Sequence, residues 1–153
     1  MSPKTPAGKL VSAFGNPEKM MTFLAPEACW SLPVSTPFKR PIRGREAIFE
    51  QMSKIWPDVY RPDVEVEFLD ELGDETSSAV RFNYRAWANW IERWYENEYT
   101  LFVRSGPDGI VEVNEAFDTK RTLDCFRQEE KTEFRGFKHD QRKTEFFGED
   151  NDT

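Results

Sequence analysis

The chain has 153 residues, of which 32% are charged and 14% aromatic, and its formal net charge is −7 at pH 7. This acidic balance argues against nucleic acid as the main partner, because a phosphate backbone attracts basic protein surfaces. Apolar runs stay well below the ~20 residues that a membrane-spanning helix needs, and the N-terminus lacks the apolar core of a signal peptide. We therefore expect one domain of a cytoplasmic protein that is not embedded in a membrane.

Residues with specialised chemistry are few in this sequence. The two cysteines, Cys29 and Cys125, have no metal-type spacing, and the one histidine, His139, lies in a charged stretch. A zinc site or a histidine-based triad would need that stretch to fold back over a pocket. Glycine-rich phosphate loops and serine-hydrolase motifs are missing too. The sequence thus predicts no metal and no cofactor, and leaves acid–base chemistry to carboxylates, Tyr, Arg or Lys.

The N-terminal part is expected to contain a lead and a first helix. Two prolines and a glycine in the first nine residues indicate that residues 1–15 form a flexible lead. The domain itself is expected to span residues 16–128. Its first helix is predicted to start at Asn16, a good N-cap, with Pro17 at the first helical position.

A second helix is predicted from Arg45 to the residue before Pro57. Its apolar residues recur at steps of three and four: Ile48, Met52, Ile55 and Trp56. The stretch 29–44 before this helix holds three prolines and a glycine. We expect it to be irregular, with a short strand near Trp30.

From residue 64 onward the apolar period changes to two, as in half-buried strands. Three alternating stretches predict antiparallel strands: VEVEF (64–68), SSAVRFNYRAW (77–87) and WYENEYTLFVR (94–104). GPDG at 106–109 predicts the turn before a last strand, and Thr119 begins a short helix. Trp87, Trp90 and Trp94 would also fit one face of a helix, but the flanking alternation favours a hairpin connection.

The last predicted strand, IVEVNEAFDT, places a carboxylate on an apolar face. Every second side chain of a strand points to the same side, so Glu115 shares a face with Val113 and Phe117. Without a cationic partner such a carboxyl is desolvated, its pKa rises, and it becomes a candidate acid or base near neutral pH. The alternatives are an ion pair with Arg81 or Arg85, or a bulge that turns Glu115 outward.

The C-terminal residues 129–153 form a highly charged tail in which KTEF occurs at 131–134 and again at 143–146. One interpretation is an exposed tail with a chance repeat. The other is a pair of short aromatic anchors that pack on the domain or on a second subunit.

The order of helices and strands indicates an α+β fold, with helices packed on one face of a curved sheet. PIRGREAI, VEVEFLDEL and GIVEVNEAFDT, in this order within residues 16–128, resemble the SnoaL-like branch of the nuclear transport factor 2-like (NTF2-like) superfamily. The resemblance implies a cone-shaped, cystatin-like α+β roll, in which the N-terminal helices cover the concave face of an antiparallel sheet. It also implies a homodimer paired through the sheet.

WYENEYTLFV followed by GPDGIVEVNEAF is similar to the phenazine-biosynthesis A/B proteins, and this resemblance places Glu115 at the acidic residue of their last strand. Relatives of this fold include polyketide cyclases, ketosteroid isomerase and scytalone dehydratase, which use carboxylates and hydrogen bonds without a cofactor. The resemblance thus implies a cyclase, isomerase or dehydratase of secondary metabolism, with a hydrophobic or conjugated small-molecule substrate. Non-catalytic members of the superfamily leave a ligand-binding or protein-assembly module as the alternative.

Seven further residues are candidates for the same site. Asp118 is a second candidate catalytic carboxylate, although an Asp before TKRTLDCF is also a natural N-cap. Asn97 is a candidate hydrogen-bond donor to a substrate carbonyl, or a buried amide that the backbone satisfies. Candidate phenolic donors and aromatic wall residues, whose alternative role is core packing, are Tyr84, Tyr99, Trp30, Trp56 and Trp87.

Two features of the related enzymes are missing from this sequence. The family's histidine on the second helix has no counterpart, because Ile48 and Met52 stand where polar contacts are expected. A second acid–base group from that helix is therefore not predicted. NYRAW lacks the aspartate two residues after Arg85 that epoxide hydrolases would have, so epoxide opening is not expected either.

Overall fold

The computed structural model describes residues 2–36, 40–89 and 91–126. Its elements in chain order are α1 (Pro6–Ser12), α2 (Pro17–Met21), β1 (Leu24–Ser31), β2 (Ile42–Arg43), α3 (Arg45–Lys54), β3 (Glu65–Gly73), β4 (Ser77–Ala88), β5 (Arg93–Gly106), β6 (Gly109–Phe117) and α4 (Thr119–Phe126). This is the predicted α+β class. Within these ranges, no helix is long and apolar enough to cross a membrane. The predictions for the tail at 129–153, its KTEF repeats and His139 lie outside the described residues.

The strands form one curved, unclosed sheet of six strands in the order β2-β1-β6-β5-β4-β3. Neighbouring strands run antiparallel except β1 and β6, which are parallel. This pair departs from the antiparallel pattern expected. A parallel pair needs a long crossover connection, and here the chain passes through α3 and four other strands before β6 returns beside β1.

The N-terminal segment, expected to be a flexible lead, instead contains α1, which packs on the sheet. Thr5 caps this helix, and the backbone N–H groups of Lys4 and Thr5 donate to the Glu71 carboxylate at 2.9 and 2.8 Å. Leu10 is fully buried. A Cβ on Gly8 would lie 2.2 Å from Glu71 Oε2, so glycine permits this close approach. The prolines and glycine that suggested a lead therefore belong to a docked helix N-terminus.

Helix α3 ends at Lys54, short of the predicted end at Trp56. The next five residues form a wide turn, in which the N–H of Tyr60 donates to the Ile55 carbonyl at 2.9 Å. Trp56 has strand-like backbone angles within this turn (φ −122°, ψ 116°). Its side chain thereby leaves the helix surface and is buried. The strand near Trp30 is also longer than expected, since β1 covers eight residues.

The tryptophan-rich stretch forms a hairpin, which confirms the strand interpretation. Ala88 pairs with Arg93 at the end of the β4–β5 ladder, and Trp87 pairs with Trp94. The two indole rings meet edge to face with centroids 5.6 Å apart. Trp90 lies outside the described residues.

The two faces of the sheet differ in chemistry. The inner face, which α1 and α3 cover, carries buried apolar side chains that alternate along β4, such as Val80 and Phe82. The outer face carries two rows of ion pairs across β3, β4 and β5: Glu65–Arg85–Glu96 and Asp70–Arg81–Glu98. An apolar ligand cavity is therefore expected on the helix side of the sheet.

Candidate functional site

A cavity lies between the inner face of the sheet and the C-terminal end of α3. Its volume is about 100 Å³. In the described part of the chain it is lined by Phe14, Trp30, Leu32, Gln51, Met52, Lys54, Ile55, Trp56, Val59, Tyr60, Tyr84, Tyr99, Glu115, Phe117 and Thr122. Among these residues Glu115 is the one carboxylate. No three His, Cys, Asp or Glu side chains of the described ranges come together as metal ligands would.

Glu115 lines this cavity from β6, as the alternation predicted. It pairs with Leu101 of β5, and the register shift of these two strands falls at Arg104 and Ser105, at the other end of the ladder. The alternative of a bulge that turns Glu115 outward is therefore excluded. Its inward position is confirmed, and its catalytic role stays a prediction.

The alternative of an ion pair with Arg81 or Arg85 is also excluded. Both arginines belong to the ion-pair rows of the outer face, with Arg81 2.7 Å from Asp70 and Arg85 3.0 Å from Glu96. Alternate residues of a strand point to opposite sides of the sheet. These arginines therefore lie on the far side of the sheet from Glu115.

Burial raises the pKa of Glu115 from an ordinary value of 4.5 to about 7, because the apolar cavity solvates the charged form poorly. One hydrogen bond acts in the opposite direction: the indole N–H of Trp30 donates to Glu115 Oε2 at 3.3 Å and favours the carboxylate. Both protonation states are therefore populated near neutral pH. This is the condition under which a carboxyl group serves as a general acid or a general base.

Tyr84 lines the cavity, as predicted. The indole N–H of Trp56 donates to Tyr84 Oη at 3.0 Å and occupies an acceptor site of the phenol. Burial raises the pKa of Tyr84 well above its usual value, so this phenol keeps its proton. Among the described residues no acceptor takes that proton, which is therefore available to a ligand.

Tyr99 also lines the cavity as predicted, but its hydroxyl group belongs to an internal network. Tyr99 Oη lies 2.8 Å from Tyr95 Oη, which in turn lies 2.6 Å from Thr122 Oγ1. Burial raises the pKa of Tyr99 well above its usual value. Tyr99 thus supplies a neutral phenol whose orientation depends on a buried neighbour.

Asn97 lies behind the cavity wall and does not line the cavity. Its amide donates to Tyr95 Oη at 2.9 Å and to the Asp118 carbonyl at 3.0 Å, and its oxygen accepts the N–H of Glu98 at 2.9 Å. These contacts match the alternative of an internally satisfied amide. Asn97 is thus placed to fix the tyrosine network rather than to meet a ligand.

Asp118 and Trp87, two other candidate residues, do not line the cavity either. Asp118 is exposed, and its carboxylate accepts the N–H of Arg121 at 3.2 Å, as an N-cap of α4 does. Trp87 packs against Trp94 and under the guanidinium of Arg61, 5.2 Å from the ring centroid. The geometry thus supports the alternative roles: Asp118 caps α4, and Trp87 packs against its neighbours.

Part of the cavity wall was missed by sequence reasoning. Phe14 fell within the expected lead, and Tyr60 lies in an irregular connection without periodicity. The Tyr60 ring centroid is 5.7 Å from that of Tyr84 and 5.5 Å from that of Tyr95. The chain's four tyrosines therefore form one cluster, with Tyr99 next to Tyr84. The only signal in the sequence was the high aromatic content.

No family model and no curated protein sequence matches the chain, whereas solved structures do. An NTF2-like protein from Burkholderia thailandensis E264 superposes with a TM-score of 0.67 at 15% identity, over 82% of this chain and 99% of its own. A SnoaL-like polyketide cyclase, so named without proof, from Jannaschia sp. CCS1 gives a TM-score of 0.64 at 8% identity, over 76% and 87% of the two chains.

A third structure is a hypothetical protein with a ketosteroid isomerase-like fold from Catenulispora acidiphila DSM 44928, in complex with trimethylamine. It superposes with a TM-score of 0.61 at 14% identity, over 76% of this chain and 91% of its own. Together these similarities show that the chain has the NTF2-like fold that its motifs predicted. At such low identity they show the fold alone, and function has to be argued from the cavity.

Proposed function

We propose that this chain, a protein of the NTF2-like fold, is an enzyme that transfers protons within a hydrophobic or conjugated small molecule and needs no cofactor. The reaction classes that this chemistry covers are isomerisation, dehydration and cyclisation. Glu115 is the proposed acid–base residue. A role in secondary metabolism, a cytoplasmic location and a homodimeric state belong to the same proposal.

The observation that carries the proposal is the environment of Glu115. Its carboxyl group lies in an aromatic cavity, receives one hydrogen bond from Trp30 and has a pKa raised to about 7. A positioned acid–base group with a pKa near the working pH accelerates proton transfer by typically about 10²–10⁴-fold. A carboxylate with only a structural role would instead be expected to have a cationic or fully hydrogen-bonded environment.

Tyr84 is the proposed stabiliser of the negative charge that develops on a substrate oxygen. Trp56 fixes the phenol oxygen from one side, and the hydroxyl hydrogen remains available to a ligand. A preorganised donor of this kind in a water-poor site is worth about 10²–10³-fold in rate. Tyr99, next to Tyr84 at a centroid distance of 5.4 Å, would support the same oxygen or the substrate ring.

The proposed substrate class follows from the cavity walls, which offer flat aromatic surfaces and few hydrogen-bonding groups. Two similar structures support a small-molecule ligand: one is named as a SnoaL-like polyketide cyclase, and one contains trimethylamine. An enolisable conjugated ketone would place its oxygen at Tyr84 and its acidic carbon at Glu115.

A general assay for this proposal is the exchange of acidic C–H protons in D₂O, followed by NMR over a panel of conjugated ketones. Glu115→Gln keeps the shape of the side chain and is expected to lower exchange about 10²–10⁴-fold. Glu112→Gln is the matched control, because Glu112 stands on the same strand, 3.8 Å from Arg104 and half exposed. Equal exchange by the native protein and Glu115→Gln would refute the assignment.

The second candidate function is a non-catalytic ligand-binding or assembly module. One observation favours assembly: Leu72 and Phe102 are 69% and 55% exposed on the outer face, and both pair with Ala79. They form an apolar row across β3, β4 and β5. This function predicts self-association or partner binding through the outer face, with no proton exchange dependent on Glu115.

A further inference from the structure

The charge of Glu115 is not balanced by any described side chain of the cavity. Its one hydrogen bond is to a neutral indole N–H, and none of the described ion pairs includes it. Lys54 is the one cationic residue among the described lining residues, and its side chain is 64% exposed and lies 3.6 Å from Glu50. Lys54 therefore lies at the solvent-exposed edge of the cavity, and it already pairs with Glu50.

The remaining lining residues are suited to a cation of a particular kind. Aromatic rings attract cations through the negative potential of their faces, and alkylated ammonium groups are recognised in this way by cages of rings. The aromatic residues that line the cavity are Phe14, Trp30, Trp56, Tyr60, Tyr84, Tyr99 and Phe117. An alkylated ammonium group is hydrated less strongly than a primary ammonium ion and is apolar on its surface, so it loses less hydration free energy on entering such a site, where Glu115 and the ring faces compensate its charge.

We propose that the cavity binds a small ligand with an alkylated ammonium group, which places its charge beside Glu115 and its methyl or methylene groups against Trp30, Trp56, Tyr84 and Tyr99. The inference rests on the proposed function in that both place Glu115 at the ligand. It goes further by naming the class of ligand. Inorganic cations are not expected to bind here, because a single carboxylate does not replace their hydration shell.

Binding of such a ligand would also decide which role Glu115 takes. An adjacent positive charge favours the carboxylate over the carboxylic acid, so the bound protein would hold Glu115 ionised at neutral pH. Glu115 would then act as a base towards the ligand. The other titratable residues that line the cavity are Tyr60, Tyr84 and Tyr99, together with Lys54 at the mouth.

The test uses two probes of the same shape, choline and its neutral isostere 3,3-dimethylbutan-1-ol, with the full chain. Calorimetric titration at pH 8 is expected to show choline binding about tenfold or more tightly than the alcohol. Glu115→Gln should remove this preference, and Glu112→Gln should keep it. Choline affinity of the native protein should fall between pH 8 and pH 5.5, as Glu115 takes up its proton.

A second measurement uses the native protein alone, so its result does not depend on whether a variant folds. If choline binds the ionised form about tenfold more tightly than the protonated form, saturation lowers the pKa of Glu115 by about one unit. Carboxyl-resolved NMR titration with and without choline measures this shift. Equal affinity for the two probes, no choline binding, or an unchanged pKa each overturns the inference. The proposed function is tested separately. If choline does not bind as expected but Glu115→Gln still loses proton exchange, the ammonium inference is wrong and the proposed acid–base role of Glu115 is retained.

Discussion

The indole N–H of Trp30 donates to Oε2 of Glu115 across a pair of parallel strands, although 85 residues separate the two in sequence. Trp30 pairs in register with Val113, two residues before Glu115, which brings its ring over the same face. The ring is almost fully buried, so the bond is held by packing. Among the described residues no other hydrogen bond reaches Glu115, and we expect its Oε1 to meet the substrate.

Trp30→Phe is expected to raise the pKa of Glu115 further above about 7, because the variant removes the donor that favours the carboxylate and keeps a large ring. Carboxyl-resolved NMR titration measures the change. Trp87→Phe serves as the control, since Trp87 lies outside the cavity. An unchanged pKa in Trp30→Phe would mean that the contact has no electrostatic effect.

Tyr84→Phe is expected to lower kcat about 10²–10³-fold on any substrate found by the exchange assay, with little change in KM. The ring stays, but the donor to the developing oxyanion is lost. The variant also leaves the buried N–H of Trp56 without an acceptor, at a cost of about 1–3 kcal/mol in stability.

The double variant Trp56→Phe/Tyr84→Phe separates these two effects of the tyrosine. It removes the unpaired N–H and should recover part of the stability without recovering kcat. Recovery of kcat in the double variant would show that Tyr84 acts through packing.

The free energy of unfolding is expected to fall as pH rises from about 4.5 to about 7. In this range the folded state keeps a proton on Glu115 that the unfolded chain releases, because the folded pKa is raised from 4.5 to about 7. The contribution is fully present below pH 4.5 and lost above pH 7, and amounts to at most about 3 kcal/mol.

Urea unfolding at pH 5 and pH 8 measures this dependence on Glu115. Glu115→Gln should flatten it and be relatively more stable at pH 8, whereas Glu112→Gln should keep the native slope. If Glu115→Gln shows the same change of unfolding free energy with pH as the native protein, the pH dependence comes from other titratable groups.

Glu71→Gln is expected to loosen α1. Hydrogen bonds from Thr5 and from the backbone N–H groups of Lys4 and Thr5 hold the pKa of Glu71 below its usual value, against the opposing effect of burial. Without the negative charge these bonds weaken. Hydrogen exchange of residues 4–12 should speed up while that of β4 and β5 stays unchanged. Unaltered exchange in α1 would show that its other contacts, such as the packing of Leu10, are enough to hold the helix.

Phe102→Ser is expected to shift the protein towards monomer, if the outer face pairs two copies as the sequence resemblance implies. The exposed row Leu72–Ala79–Phe102 would supply the apolar contact. Light scattering after gel filtration measures the mass of the native protein and the variant. Val34→Ser is a control, because Val34 is also an exposed apolar residue but lies outside the sheet. A native protein with the mass of one chain would refute the homodimer.

Local patterns were sufficient for strands β3 to β6 and for the position of Glu115. The period of two in VEVEF, SSAVRFNYRAW and WYENEYTLFVR is a property of neighbouring residues, and it alone decides which side chains share a face. The same alternation put Glu115, Tyr84 and Tyr99 on the inner face, where the cavity lies. Burial of a carboxylate on an apolar face, without a cationic partner, then raises its pKa.

Contacts between distant segments decided the rest. The N-terminus of α1 binds Glu71, 66 residues after Thr5. The Asn97 amide donates to Tyr95 and to the Asp118 carbonyl and does not line the cavity. The sequence by itself determined the α+β class, the inward carboxylate and the aromatic character of its surroundings, because periodicity is local. Only the tertiary structure decided that Trp30 binds Glu115, that Trp56 orients Tyr84, and that Asp118 and Trp87 lie elsewhere, because hydrogen-bond partners are chosen by the packing of the whole chain.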